Sequence, residues 1–476
     1  MINIIFIVID AMAVVLLAIM LVGLLLIATE SVNHINKAAV AMFVGVTCWL
    51  IYIANGTDFI YAVHAKDFEA YTHSFTHTAI QVKEFISSQI FFKYIVQCAN
   101  IVLFLLATTC IVEVLHNNGC FDFLAEWLKT LRPRKLLWML SFFTFVVSAN
   151  LDNLAAVVLM LSIIHPLLQS DKQRRIYGTV VILSANCGGA ITVIGDITSL
   201  KLWNDGLVTP SIYFLTMVLP ICAALVTMLL LLMRNLPSRV EFALNRLPYR
   251  GDDTQLSRSQ RLLMFFVGVG GLWFIPSFHR ITLLPPFVGA LCVLALLWMV
   301  NELCNRQLLG SDKMVLRRLP MALQYANLQN LLYFVGLTLM YGAVAETGMM
   351  KYAYEWVTNQ VESIYIIGVC TTFFSSLFGT VPTLLGSVEL FHQIDSGTFA
   401  HLITTDGYIW PMLSYTTTMG GTLLLTGSIA GVLLMRMESI SFSWYFKHIA
   451  PKVMAGFVVG FLLLVMIIQG VIWVCG

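Results

Sequence analysis

Charge is what this chain has least of. Lys, Arg, Asp and Glu make up 11% of its 476 residues, 27 basic and 25 acidic, where soluble proteins carry about a quarter. A soluble chain of this length needs a charged shell, which excludes an ordinary cytosolic enzyme, a disordered protein and a nucleic-acid binder. Cysteine lacks pattern: ten are scattered, none in a C-x-x-C pair, and Cys110, Cys187 and Cys370 lie inside apolar runs. That argues against a zinc or disulfide framework and for buried thiols. No G-x-x-x-x-G-K-[ST], G-x-S-x-G or H-E-x-x-H string occurs, so nothing points to nucleotide hydrolysis, intramembrane proteolysis or another enzyme. What is present is hydrocarbon, with 59% hydrophobic residues and a mean hydropathy of +0.86. The solvent for most of this chain is lipid.

A helix needs about 20 mostly apolar residues to cross about 30 Å of hydrocarbon. Runs at 3–28, 38–55, 91–115, 176–203, 210–233, 261–279, 283–303, 328–350, 408–435 and 451–474 predict ten spanning helices. The first is not a signal peptide, because no Lys or Arg precedes Lys37 and the run is too long. Two further stretches, 136–170 and 363–392, are interrupted. The interruptions read Ser148-Ala149-Asn150-Leu151-Asp152-Asn153 and Ser375-Ser376-Leu377-Phe378-Gly379-Thr380-Val381-Pro382.

Basic loops mark the cytoplasmic side. The loops 234–261 (Arg234, Arg239, Arg246, Arg250, Arg258, Arg261) and 304–327 (Arg306, Lys313, Arg317, Arg318) are therefore inside. Lys129, Arg132, Arg134 and Lys135 precede 136–170, and Lys172, Arg174 and Arg175 follow it. This stretch enters and leaves on one side, as a re-entrant hairpin with Asn150–Asn153 at its tip. Between Lys351 and Arg436 there is no Lys or Arg, while Glu355, Glu362, Asp395 and Asp406 occur. The stretch 363–392 is thus predicted to enter from outside, with both termini outside.

An internal repeat accompanies the hairpins. Ser184-Ala185-Asn186-Cys187-Gly188-Gly189, running on to Gly195-Asp196, aligns without a gap on Thr416-Thr417-Thr418-Met419-Gly420-Gly421, running on to Gly427-Ser428. Hairpins of opposite entry make this an inverted-topology repeat, a plan of secondary transporters. The expected organisation is N-terminal helices and an outer loop over 1–90, a first inverted repeat over 91–233, a cytoplasmic linker over 234–260 and a second inverted repeat over 261–476. The fold class is an all-α polytopic membrane protein, with ten spanning helices plus two re-entrant hairpins in two inverted-topology repeats. Gly188, Gly189 and Gly195, with Gly420, Gly421 and Gly427, are read as helix-break glycines where unwound backbone lines a cavity. Close helix packing is the alternative.

Asp152 and Asp196 carry the chemistry. A carboxylate at bilayer depth is expensive and functional by default. Asn150 and Asn153 flank the first acid; Thr192, Thr198 and Ser199 flank the second. Carboxylate, amide and hydroxyl oxygens are the ligand set of a hard cation, so Na⁺ is expected at Asp152 and Asp196. A carboxylate that binds either Na⁺ or H⁺ gives antiport by competition. A helix cap would account for Asn150 or Asn153 alone, but poorly for two acids at two breaks. The second hairpin offers Ser375, Gly379, Thr380 and Pro382, without an acid.

Other polar residues have two readings each. Glu113 and Glu346 end their spans before Gly119 and Gly348, as gate or relay groups or as interfacial caps. His34, beside Glu30, Asn36 and Lys37, is a pH sensor or a solvated loop residue. Asp10, in the first predicted helix, is expected simply to face the bundle. His73 and His77, spaced i, i+4, lack a clear third metal ligand. Lys201 is expected to snorkel outward.

The strings Glu30…His34-Ile35-Asn36-Lys37, Glu113…Gly119, Ser148–Asn153 and Asn186-Cys187-Gly188-Gly189…Gly195-Asp196-Ile197-Thr198 resemble the NhaD-type Na⁺/H⁺ antiporters of the ion transporter superfamily. The closing string Gly420-Gly421…Gly427-Ser428…Trp444-Tyr445 is similar to that family's last repeat, and the resemblance covers residues 30 to about 474. It implies Na⁺ or Li⁺ exchanged for H⁺, no cofactor, a homodimer in the lipid bilayer with a scaffold and a moving transport domain, no nucleic-acid partner, and a bacterial inner membrane. It departs from the family at Gly379 and Thr380, where the second hairpin's own Asp-Asn pair is expected. The same-fold alternative is a Na⁺-coupled symporter of a carboxylate or other anion.

Overall fold

The structure, a computed structural model, describes residues 11–72, 78–242, 256–306, 328–361, 363–392, 402–438 and 440–475. Asp10, His73, His77, Arg246, Arg250, Lys313, Arg317, Arg318, Glu362 and Asp395 lie outside the described residues. The principal helices are α1 (Ala11–Ala28), α2 (Lys37–Ala54), α3 (Phe92–Asn117), α4 (Pro133–Asn150), α5 (Asn153–Leu167), α6 (Asp171–Ile191), α7 (Ile197–Asn204) and α8 (Pro210–Leu232). They continue as α9 (Gly271–Thr282), α10 (Pro286–Cys304), α11 (Leu328–Ala345), α12 (Ile364–Phe378), α13 (Thr380–His392), α14 (Ile409–Leu423), α15 (Ile429–Glu438) and α16 (Ala450–Cys475). The only strand-type pairing among the described residues is one isolated bridge, Leu168 with Phe242.

Eight helices among the described residues are long and apolar enough to cross a membrane. Large apolar side chains such as Phe43, Leu215, Trp273 and Met466 stand more than 60% exposed, as a lipid-facing exterior allows and a water-facing one does not. The chain is a multi-pass membrane protein. Two expected spans, 176–203 and 408–435, are absent from those eight: α14 and α15 are each too short, and α6, though 21 residues long, is too polar.

The chain forms two compact units interleaved in sequence. The first comprises Met1–Ala99, Leu328–Ile367 and Val381–Ile403. Within it α2 packs along α11, and α1 packs on both. The crossing of α2 and α11 is closed by two glycines: a Cβ on Gly45 would sit 2.6 Å from the carbonyl oxygen of Gly336. Small residues let membrane helices approach to backbone contact, where dispersion between the chains replaces contacts with lipid.

The second unit comprises Asn100–Asn327, Gly368–Thr380 and Thr404–Gly476. Here α4, α5, α8, α14 and α15 all pack on α6, and α16 packs on α8 and α14. From Tyr177 to Ile191 every residue of α6 is buried, and so is every residue of α14. Helices buried on all sides are central elements, yet these two carry Ser184, Asn186, Thr416, Thr417 and Thr418. Buried polar groups seek partners. Ser184 bonds to Ser141 and Asn186 to Asn153 on the first interrupted stretch, and Thr416 bonds to Thr371 on the second. Thr417 donates back to the Leu413 carbonyl of its own helix, and the Thr418 hydroxyl has no partner among the described residues.

Candidate functional site

The first interruption falls where the sequence predicts it. Helix α4 ends at Asn150, Leu151 and Asp152 are extended, and α5 starts at Asn153. Asp152 caps α5: its Oδ2 accepts from the backbone N–H of Leu154 at 3.1 Å and of Ala155 at 3.3 Å. An Asp at the N-cap satisfies otherwise orphaned donors and faces the positive end of the helix dipole. The second interruption runs from Thr192 to Asp196, between α6 and α7. Asp196 stands at the N-cap position of α7, and its Oδ2 accepts from the Thr198 hydroxyl at 2.6 Å.

Hydrogen bonds stitch the two interruptions together. The Asn153 N–H donates to the Gly195 carbonyl at 3.0 Å, and the Thr192 hydroxyl donates to the Ala149 carbonyl at 2.6 Å. Ser148 donates to the Ala185 carbonyl at 2.7 Å. The Asn153–Gly195 bond thereby joins the immediate neighbours of Asp152 and Asp196, and both acids are half-buried. Next to them, Asn153 donates through Nδ2 to Asn186 Oδ1 at 2.8 Å, and its own Oδ1 is buried without a hydrogen-bond partner among the described residues. A buried amide oxygen left bare costs about 1–3 kcal/mol and is an acceptor in want of a donor or a cation.

Not every expected ligand converges. Asn150 turns its Nδ2 back to the Val146 carbonyl at 2.6 Å and ends its own helix. Ser199 is fully buried and donates to the Asp196 backbone carbonyl at 3.0 Å. Lys201 does not snorkel: it is 1% exposed and pairs with Asp205 Oδ2 at 2.6 Å, one turn on. A buried partner holds its charge where the expected escape to the interface does not.

The glycine expectation needs correcting at four positions. Gly188 and Gly189 remain helical within α6, and Gly420 and Gly421 within α14; the breaks come after Ile191 and Leu423. These pairs serve close approach. A Cβ on Gly188 would collide with the Phe145 carbonyl of α4, and one on Gly189 would lie 2.7 Å from the Gly195 oxygen. Only Gly195 and Gly427 belong to interrupted segments. The matching string has similar contacts: a Cβ on Gly420 would collide with the Thr372 carbonyl, one on Gly421 would lie 2.9 Å from the Gly427 oxygen, and Ser375 donates to the Thr417 carbonyl at 2.5 Å.

The second break has no carboxylate. Gly379, at φ 101°, stands between α12 and α13, and the Thr380 methyl fills the space over Gly421. Pro382 sits in the first turn of α13, where its missing N–H is harmless. Ser428 accepts from the Gly431 N–H at 3.0 Å as a cap of α15.

The gate and sensor candidates have partners of their own. Glu113 accepts from Asn117 at 3.1 Å, one turn along α3. His34 is exposed in a left-handed turn. Glu346, just past the end of α11, is buried and bonded to His64 Nε2 at 2.5 Å and to the Tyr94 hydroxyl at 2.7 Å. The hydrogen bond to Glu346 holds His64 above its ordinary 6.5, outweighing burial. Burial would raise Glu346, but the bonds from His64 and Tyr94 outweigh it and hold the carboxyl below its ordinary value.

Sequence reading missed the roles of Asn186 and Thr422. Asn186 joins Asn153 to the Thr422 hydroxyl, to which its Nδ2 donates at 2.9 Å. Both lie within the repeated string, and their polarity at glycine-pair depth was the available signal.

Comparison with known proteins adds a family and relatives. The profile of the family described as "Citrate transporter" matches residues 2–405. Sodium/proton antiporter 2 of Arabidopsis thaliana is 28% identical over 440 residues, covering 92% of this chain and 96% of that one. The Na(+)/H(+) antiporter NhaD of Alkalimonas amylolytica is 26% identical over 477 residues, covering 93% and 88%. That of Vibrio parahaemolyticus is 24% identical over 391 residues, covering 76% and 89%.

Proposed function

We propose that this chain, which belongs to the citrate transporter family and is a membrane transporter rather than an enzyme, exchanges Na⁺ for H⁺ across its membrane. The observation that carries the proposal is the junction of two interrupted helices, where the Asn153–Gly195 and Thr192–Ala149 bonds bring together the segments that bear Asp152, Asp196 and the bare Asn153 oxygen. Two carboxylates that repel at close range are relieved by one cation or by protons, and not by both at once. Na⁺ and H⁺ therefore compete, and competition at one site is antiport. Li⁺, smaller but equally hard, would use the same oxygens. Relatives named as sodium/proton antiporters support this reading.

The finer architecture belongs to the same proposal. Ten crossings plus hairpins 136–170 and 363–392, in inverted repeats over 91–233 and 261–476, follow from the basic flanks of one hairpin and the acidic flanks of the other. The chain works as a homodimer; a bacterial inner membrane is the location its bacterial relatives support, beside relatives from a plant. Asn150, Asp152, Asn153, Thr192, Asp196, Thr198 and Ser199 form the ion-binding region, and Asp152 and Asp196 hold the ion.

The family description favours a second reading, Na⁺-coupled uptake of a carboxylate. It would need cationic or helix-end groups open to an anion. At the first break Asp152 and Asp196 already stand at the N-termini of α5 and α7, and Lys201 is paired with Asp205. Inverted vesicles distinguish the two. Na⁺ should collapse an imposed pH gradient, and citrate or succinate should neither enter nor be required. Carboxylate uptake without proton exchange would overturn the exchanger reading.

A further inference from the structure

The bare oxygen of Asn153 is oriented by a chain of hydrogen bonds that begins on the other repeat. Thr422, the residue after Gly421 on α14, donates its hydroxyl proton to the Thr418 carbonyl at 2.7 Å. With that proton committed, its Oγ1 accepts, and Asn186 Nδ2 is the donor at 2.9 Å. Asn186 then presents Oδ1 on its other side, to Asn153 Nδ2 at 2.8 Å. A carboxamide has one donating and one accepting end, so Asn153 must turn its oxygen away from Asn186. That oxygen is buried and has no hydrogen-bond partner among the described residues.

Each link constrains the next. Flipping Asn153 alone would set its oxygen against the Asn186 oxygen. Flipping both would set the Asn186 oxygen against Thr422, whose proton would have to leave the Thr418 carbonyl. The direction of the chain, set at a backbone carbonyl that cannot flip, decides whether the site meets an acceptor or an NH₂ group. An acceptor attracts a cation; an NH₂ group repels it.

The first repeat could not supply this link. In the gapless alignment the position matching Thr422 is Ala190, which has no polar side-chain atom. The second repeat, without acids at its own break, thus lends a hydroxyl to the acidic one.

We propose that Thr422 is a positioning residue for the transported cation, acting through Asn186 to keep the Asn153 oxygen turned into the site beside Asp152 and Asp196. The proposal rests on the exchanger reading. Partners that orient metal ligands from behind typically change affinity by about 10–100-fold when removed, and the hydroxyl of Thr422 is one such partner at one remove.

The test is Na⁺ titration of the purified full-length protein by calorimetry, with Na⁺-dependent exchange in vesicles alongside. Thr422→Val removes the hydroxyl and keeps the shape. It should weaken Na⁺ binding and raise the apparent KM by about 10-fold, with the rate at saturating Na⁺ within about twofold of wild type. Thr422→Ser should restore both. In an Asn186→Asp background the carboxylate accepts from Asn153 whatever Thr422 does, so there Thr422→Val should leave KM unchanged. Wild-type affinity in Thr422→Val, failure of the Ser rescue, or an equal loss in the Asn186→Asp background would overturn the proposal. Absence of Na⁺ binding in the wild type would overturn the exchanger reading and this proposal together, whereas equal binding by wild type and Thr422→Val overturns this one alone.

Discussion

At the first break, Ser148 donates to the Ala185 carbonyl and Gly188 lies against Phe145; at the second, Ser375 donates to the Thr417 carbonyl and Gly420 lies against Thr372. The frame is the same, and its occupants differ. Where the first break sets Asp152, Asn153 and Asp196, the second sets Gly379, Thr380 and Ser428. At the first, two acids stand at helix starts and an amide oxygen is left bare. At the second, a methyl packs on Gly421 and the serine hydroxyl caps its own helix. Close glycine packing builds a place where helices can be interrupted, and in the proposed exchanger the side chains put there decide whether an ion stops at it.

The comparison is broken most severely by removing a charge. Asp152→Asn should lower Na⁺/H⁺ exchange in vesicles by at least about 100-fold with the protein still folded, since the amide keeps the shape but cannot ionise. Ser428→Ala, at the position matching Asp196, should leave exchange within about twofold. Comparable losses in the two variants would erase the distinction between the breaks.

Packing should respond equally at both. Gly188→Ala and Gly420→Ala each force a methyl into a carbonyl of the neighbouring hairpin, where backbone must move. Each should cost about 1–3 kcal/mol, read as a lowered thermal midpoint in detergent. A large effect at one and none at the other would show that the shared frame is not shared in energy. Gly379→Ala should cost about 1 kcal/mol, because φ 101° disfavours any side chain. For the same reason an Asp introduced at Gly379 should not restore a second Na⁺ site.

The smallest effect concerns a pair in the first unit. His64 is held above its ordinary value by Glu346, so its contribution to stability is complete below about 6.5 and is lost as pH rises through its raised value. Glu346 is held below its ordinary 4.5, so its contribution is complete above that value and is lost as pH falls through the lowered one. The pair is therefore strongest between about 4.5 and 6.5. The thermal midpoint should fall from pH 6 to pH 9 by more in wild type than in His64→Gln. Parallel pH profiles would contradict the pairing.

Much of the site could be read in sequence because it is local. An Asp-Asn pair inside an apolar stretch interrupts the helix at Leu151–Asp152, and Gly195-Asp196 belongs to the break before α7. The glycine pairs were located correctly and assigned the wrong local task, since an α-helix tolerates them and only the neighbouring carbonyl reveals why they are small. Long-range partners left no spacing to read. Asn186 and Thr422 are 236 residues apart, and His64 and Glu346 are 282 apart. Lys201 was misjudged for the opposite reason: its partner Asp205 is one turn away, but burial of the pair is a tertiary fact.

The central claim is that Na⁺ and H⁺ contest the carboxylates of the first break. Proton release on adding Na⁺ to the purified protein in weakly buffered detergent solution tests it most directly. The account predicts that wild type releases protons in a saturable way and that Asp152→Asn/Asp196→Asn releases none. Equal release from the double variant would contradict it.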